Sequence, residues 1–276
     1  MGGMSQMAVR VLVYSLLLAA ACVGRSHLEN RLVFLPMPYP EGYWEPQDVV
    51  VEDAWFEAAD GTQLHGWYVA TPDPRAAILL AHGNAGNLSH RAPLLALLQH
   101  MGCSVLIFDY RGYGRSEGSP TEQGVYLDAR AARDWLAERE GLAPDGVVLL
   151  GRSLGSAIVV DVAADDGARG LILENGFDNA GNVGRAHFPD WLVWLLQRSP
   201  FDAAGKLPRY RGPLLVIHAE QDEVVPYPLG QALFAAGNEP KSFVSLPGLG
   251  HNDATTWHAR EQIDAFLDAL PPARTR

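Results

Sequence analysis

Basic residues are scarce in this sequence. Its 21 lysines and arginines face 32 aspartates and glutamates, a formal charge of −11 over 276 residues. A nucleic-acid partner requires a basic face that displaces counterions, so that class is excluded. Cysteine is scarcer still, with only Cys22 and Cys103. Two are too few for a disulfide framework, and no cysteine–histidine cluster has zinc spacing, so the sequence calls for no metal and no cofactor. Cys103, beside the run Val105-Leu106-Ile107-Phe108, reads as a buried thiol. Long apolar runs are also missing: the charge-free stretch Val11 to Val23 stops short of the ~20 residues of a membrane-spanning helix.

That stretch has the length of a secretory h-region and follows Arg10, so residues 1–24 read as a signal peptide or membrane anchor. Ala19-Ala20-Ala21-Cys22 resembles a lipoprotein cleavage site, with the usual leucine one place early. Three readings stay open: a lipidated Cys22, an uncleaved anchor, or a buried core helix. The first two keep Arg10 on the cytoplasmic side, which makes the protein membrane-associated through its N-terminus with the domain outside the cytoplasm. Arg25 and Arg31 at the other end weigh against that orientation.

Residues 25–276 suit one domain, and a hydrophobic content of 48% can fill a core. The lead-in Leu28 to Gln47 contains Phe34-Leu35-Pro36-Met37-Pro38-Tyr39-Pro40, too rich in proline for helix or central strand, and should wrap the domain in extended form. Val49 to Ala58 and Gln63 to Thr71 flank Asp60-Gly61, a hairpin signal. Beyond it apolar strands alternate with helices. Strands are expected at Ala76–Ala81, Ser104–Asp109, Val147–Leu150, Leu171–Glu174, Leu214–His218 and Ser242–Leu246. Helices are expected at Leu88–Met101, Thr121–Glu140, Ser153–Ala164 and Thr255–Leu270. The alternation predicts an α/β fold with a mainly parallel sheet covered on both faces. Residues 176–211 break the rhythm with Phe188, Trp191 and Trp194 close together. They read as a small helical lid over the strand tips, forming an apolar acyl pocket with Phe177.

The chemistry-bearing motifs fall at strand ends. Gly151-Arg152-Ser153-Leu154-Gly155 has the G-x-S-x-G form of a nucleophile elbow, in which the glycines avoid clashes with neighbouring backbone. Chance supplies roughly 0.1 such matches in a chain of this kind, but here a strand leads in and a small-residue helix leads out. Ala81-His82-Gly83-Asn84-Ala85-Gly86-Asn87 follows a strand and suits an oxyanion loop, with the backbone N–H of Asn84 and of Leu154 as donors. A serine needs a base. His251, in the glycine loop Pro247 to Asp253 at a strand tip, is the best placed of nine histidines. Glu220, Asp222 and Glu223 all follow the strand ending at His218. Asp222 is favoured because the turn before Val224-Val225-Pro226 can point it inward, while the other two should face solvent.

These motifs, together with Asp109-Tyr110-Arg111-Gly112-Tyr113-Gly114-Arg115-Ser116-Glu117-Gly118, resemble the membrane-anchored α/β-hydrolases related to the eukaryotic depalmitoylating enzymes and their bacterial counterparts. The likeness runs from about Leu28 to the closing helix. It implies a mostly parallel eight-stranded sheet and a catalytic triad of Ser153, Asp222 and His251 in that chain order. It gives Tyr110 and Arg111 no catalytic role. One departure is Asn175-Gly176-Phe177-Asp178-Asn179, where relatives commonly carry a proline and a Ser or Thr; it borders the lid and bears on substrate choice.

The expected activity is hydrolysis of a carboxylic ester or thioester of a small or lipid-like acyl substrate, through an acyl-enzyme. A serine aminopeptidase would need an acidic clamp for the substrate amine, and the lid offers none. A non-catalytic anchored scaffold would have no reason to keep the three side chains.

Overall fold

Ala76–Ala81 and Cys103–Phe108 contain no polar residue except Ser104, and every residue of both is buried. Strands of this composition are covered on both faces, where each fully buried Leu or Ile contributes about 1.5–3 kcal/mol. They form the centre of a sheet in the computed structural model, which describes residues 33–196, 200–253 and 255–276. The N-terminal apolar run, Cys22 and the first residues of the lead-in lie outside the described residues. No helix among the described residues is long and apolar enough to cross a membrane.

The sheet has eight strands. In chain order they are β1 (Glu52–Glu57), β2 (Gln63–Val69), β3 (Ala76–Ala81), β4 (Cys103–Phe108), β5 (Val148–Arg152), β6 (Gly170–Glu174), β7 (Leu214–Ala219) and β8 (Lys241–Leu246). Their spatial order is β1-β2-β4-β3-β5-β6-β7-β8. The hairpin β1–β2 is antiparallel, β2 runs antiparallel to β4, and the other pairings are parallel. Parallel neighbours place β3, β5, β6, β7 and β8 with their carboxyl ends at one edge, where α/β proteins build sites.

Successive residues of β3 serve opposite layers. Ala77, Leu79 and Ala81 join one core with Leu149, Ile158 and Val216, while Ala76, Ile78 and Leu80 join the other with Leu95, Val105 and Ile263. The helices are α1 (Ala92–His100), α2 (Glu122–Arg139), α3 (Leu154–Asp166), α4 (Ala180–His187), α5 (Asp190–Leu196), α6 (Ala203–Lys206), α7 (Tyr227–Ala236), α8 (Thr255–His258) and α9 (Arg260–Asp268). Thr121 caps α2, its hydroxyl accepting from Gly124 N at 3.0 Å, and Arg139 in the last turn complements the helix dipole. Cys103 is buried, and loss of water pushes its thiol up to about 11.

Several details depart from expectation. A short helical turn, Leu88–Arg91, precedes α1. The closing helix is split into α8 and α9. Helix α7 had no counterpart in the sequence reading; Pro226 and Pro228 obscured it, although proline is tolerated in the first turn. The 176–211 segment also divides. Helices α4 and α5 carry the exposed aromatics, but Phe201, Ala203, Leu207 and Tyr210 are buried in the core. The second half of that segment therefore packs as part of the domain. The lead-in contributes a two-residue strand, Leu35–Pro36, paired in parallel with Ala85–Gly86.

Candidate active site

Ser153 sits directly between β5 and α3 with φ +52 and ψ −117. A non-glycine residue in this conformation stores on the order of 1–3 kcal/mol, and such strain gathers at functional turns. Its amide donates to Glu174 O at 2.8 Å, and Ser156 Oγ donates to Gly151 O at 2.7 Å, which fixes the turn. The two flanking glycines are required by close approach. A Cβ at Gly151 would meet Gly155 O at 2.4 Å, and one at Gly155 would meet Ala81 O at 2.0 Å.

The loop after β3 lies against this turn: a Cβ on Gly83 would be 3.6 Å from Ser153 Cβ. Leu154 opens α3, so its N–H is among those without a helical acceptor. The N–H of Asn84 makes no hydrogen bond among the described residues. The Asn84 side chain is engaged elsewhere. Its Nδ2 donates to Val33 O at 2.5 Å, and its Oδ1 accepts from Leu35 N at 3.1 Å and from Tyr113 Oη at 2.8 Å. His82 is buried beneath the loop, with Nδ1 2.7 Å from Gly83 O and its carbonyl accepting from Tyr110 Oη at 2.6 Å. Arg111 is committed to Asp60 and Asp128.

Asp222 and His251 come together from separate strand tips. His251 Nδ1 lies 2.7 Å from Asp222 Oδ2. A carboxylate there selects the tautomer with the proton on Nδ1 and leaves Nε2 as a base. The other oxygen of Asp222 accepts from Val224 N at 2.9 Å and Val225 N at 2.6 Å, so the carboxylate cannot turn away. Of its rivals, Glu220 is exposed and accepts from Ser245 Oγ. Glu223 is exposed as expected, and its carboxylate also accepts from His251 N at 3.2 Å.

Ties to the elbow locate the His251 loop. The carbonyl of His251 accepts from Arg152 Nη2 at 2.8 Å and from Asn175 Nδ2 at 3.1 Å. Arg152 precedes Ser153, and Asn175 follows Glu174, the residue bonded to the Ser153 amide. Ser153 Oγ makes no hydrogen bond among the described residues; such bonds commonly close only around substrate. Asn175, at φ +46, also accepts from Ala219 N at 3.0 Å through Oδ1. The sequence reading gave it no role. A lone asparagine after a strand carries little signal, and only the fold shows that it spans two loops.

His218, the residue before the end of β7, is buried and hydrogen-bonded. Its Nε2 lies 3.0 Å from Val225 O and 3.6 Å from Asp222 Oδ2. Burial pushes its pKa down, which keeps the ring neutral. The lid residues are divided: Phe177 is buried, whereas Phe188, Trp191 and Trp194 are 58%, 66% and 79% exposed. Val193 of α5 is buried and packs over Gly184 of α4. His187, ending α4, lies 2.8 Å from Val224 O and so ties the lid to the Asp222 loop.

A profile of the alpha/beta hydrolase fold matches residues 76–202. The α/β hydrolase domain-containing protein WAV2 of Arabidopsis thaliana is 34% identical over 256 residues, covering 83% of this chain and 82% of that protein. The chain belongs to the α/β-hydrolase superfamily. An uncharacterized protein of Mycobacterium tuberculosis is 37% identical to this α/β-hydrolase, covering 86% and 85% of the two chains. Among solved structures, an esterase of Pyrococcus furiosus superposes with a TM-score of 0.70 at 18% identity, covering 86% of this chain and 98% of that one. The eight-stranded, mostly parallel sheet with flanking helices is the fold expected of this α/β-hydrolase.

Proposed function

We propose that the protein is a serine hydrolase cleaving carboxylic ester or thioester bonds through Ser153, Asp222 and His251. The observation that carries this reading is the 2.7 Å contact between His251 and Asp222 on a loop pinned to the residues beside the elbow. A fold alone hosts many chemistries, so the site has to make the case.

In this mechanism Ser153 Oγ attacks the acyl carbonyl carbon and its proton passes to His251 Nε2. Asp222 stabilises the resulting imidazolium. The N–H groups of Asn84 and Leu154 stabilise the oxyanion, a contribution of about 10²–10³ in turnover for one donor. Collapse of the tetrahedral intermediate breaks the bond to the leaving group, which takes the proton from His251. Water, deprotonated by the same imidazole, then hydrolyses the acyl-enzyme and restores Ser153. A peptidase reading is weaker because an acidic clamp has to be free for the substrate amine, whereas Glu174 accepts from Thr256 Oγ1 and Glu223 and Asp253 accept from amides of the His251 loop.

Phe188, Trp191 and Trp194 supply the exposed apolar surface for the acyl chain, on a lid that can close over it, with Phe177 buried beneath it as packing. The protein is held at a membrane, with its domain outside the cytoplasm, by a lipidated Cys22 or an uncleaved N-terminal anchor. Recovery of the full chain in a carbonate-washed membrane fraction, and its release when residues 1–32 are removed, tests that placement.

The decisive experiment is labelling with a fluorophosphonate probe. The wild-type protein should label and Ser153→Ala should not; equal labelling of the two would remove Ser153 as nucleophile.

A further inference from the structure

Two arginines stand at the site as cations that the mechanism does not use. Arg91 ends the helical turn after the Asn84 loop. Its Nη2 donates to Ala85 O at 3.1 Å, and its Nε is buried with no hydrogen-bond partner. Arg152 precedes Ser153, and its Nη2 donates to His251 O at 2.8 Å and Asp253 O at 3.3 Å. Arg152 is the last residue of β5, and Arg91 ends the turn that follows the loop after β3, the strand paired with β5.

Neither guanidinium has a carboxylate partner among the described residues. Arg169, Arg211 and Lys241 likewise bond only to carbonyl oxygens, but they lie away from the elbow, whereas Arg111 and Arg130 each hold more than one carboxylate. Acids in the neighbouring loops are turned elsewhere. Glu174 accepts from Thr256 Oγ1, Glu223 from His251 N, and Asp253 from Gly250 N. The cations also oppose one another: burial, and then the charge of Arg152, lower the pKa of Arg91. Two close cations without a counter-ion are costly, and a bound anion relieves that cost.

We propose that Arg91 and Arg152 form an anion-binding subsite that receives a carboxylate or phosphate carried on the leaving group of the substrate. The leaving group is the side of the substrate concerned because its departing atom must reach His251 to take a proton, and Arg152 is bonded to the backbone of that residue. Arg91 stands across from it, beside the oxyanion loop. A planar guanidinium matches the paired oxygens of either anion. Backbone tethers account for Nη2 of both residues but leave Arg91 Nε buried without a partner.

The inference rests on the ester-hydrolase reading, and its test separates the two. Two butyrate esters are compared: 4-nitrophenyl butyrate and 5-butyryloxy-2-nitrobenzoate, which adds a ring carboxylate to the leaving group. Wild-type kcat/KM should favour the carboxylated ester by about tenfold or more at low salt, and the preference should shrink as salt screens the charges. Arg91→Gln should collapse the ratio towards one, and Arg91→Lys should restore part of it. A wild-type ratio near one, or a ratio unmoved by Arg91→Gln, overturns the subsite while leaving the hydrolase intact. If neither ester turns over, the hydrolase reading fails. The subsite is then judged by inorganic phosphate, which should raise the Tm of the wild type more than that of Arg91→Gln. Equal shifts overturn it.

Discussion

Replacing Gly155 by alanine should damage both stability and turnover, although the same change in an ordinary helix is favourable. Gly155 lies in the first turn of α3, where alanine normally gains about 1 kcal/mol over glycine. Here the added methyl would stand 2.0 Å from Ala81 O, 2.6 Å from Ala81 C and 2.8 Å from His82 O. All three are backbone atoms, so no side chain can rotate away. Contacts below 3.0 Å are essentially never seen for a real Cβ, so the helix start and the tip of β3 must part by about the difference, 1 Å. Overpacking of this kind costs about 1–3 kcal/mol. At this chain length that is a fall in Tm of roughly 3–10 °C. The same movement separates Ser153 and Leu154 from the Asn84 loop, which follows His82 directly. A misplacement of about 1 Å in a catalytic constellation costs on the order of 10² in rate. The assay is hydrolysis of 4-nitrophenyl butyrate and the rate of fluorophosphonate labelling, on protein whose circular dichroism matches the wild type. Gly141→Ala is the control: Gly141 has φ +67 and nothing within 4 Å of its would-be Cβ. It should lose about 1 kcal/mol through backbone strain alone and keep full activity. A Gly155→Ala protein with wild-type Tm and rate would refute the close-approach account of the elbow.

Two more outcomes follow from buried groups. His65 and His218 both have pKa values lowered by burial. A histidine more acidic in the folded state contributes stability that is full above its unfolded value near 6.5 and is lost as pH falls below it. The Tm should therefore drop between pH 6.5 and 5, and His218→Gln should flatten that slope even if its Tm is lower throughout; an unchanged slope rules the histidine out. Cys103, with its thiol at about 11, should resist iodoacetamide at pH 8 in the native protein and react once denatured, so rapid native alkylation contradicts its burial.

The parts legible in the sequence are those where one residue pattern has one physical solution. Continuous apolar runs such as Ala76–Ala81 need cover on both faces, so the parallel sheet follows. The glycines of the elbow are dictated by backbone contacts at 2.4 and 2.0 Å that no other residue survives. The choice of Asp222 rested on a turn argument, and the amides of Val224 and Val225 do hold that carboxylate. Long-range partners were not legible. Glu223 is exposed, as its sequence position suggests, but nothing local shows that His251 N is beside it. Asn175 was passed over for the same reason. The reach of the lid was overdrawn because Phe201 and Leu207 look like any other lid apolar residues until Phe34, whose ring centroid is 5.9 Å from that of Phe201, is known to lie against them. Helix α7 was hidden by prolines that mark a helix start as readily as a loop.

The pairing of Leu35–Pro36 with Ala85–Gly86, and the grip of Asn84 on Val33 and Leu35, join the N-terminal segment to the loop proposed to hold the oxyanion. A trimmed chain starting at Gly42 would retain all eight strands and could pass for a complete domain on a gel filtration column. It would lose the splint that sets that loop's shape. Whatever tugs on the N-terminal end is coupled, through one asparagine, to the shape of that proposed oxyanion loop.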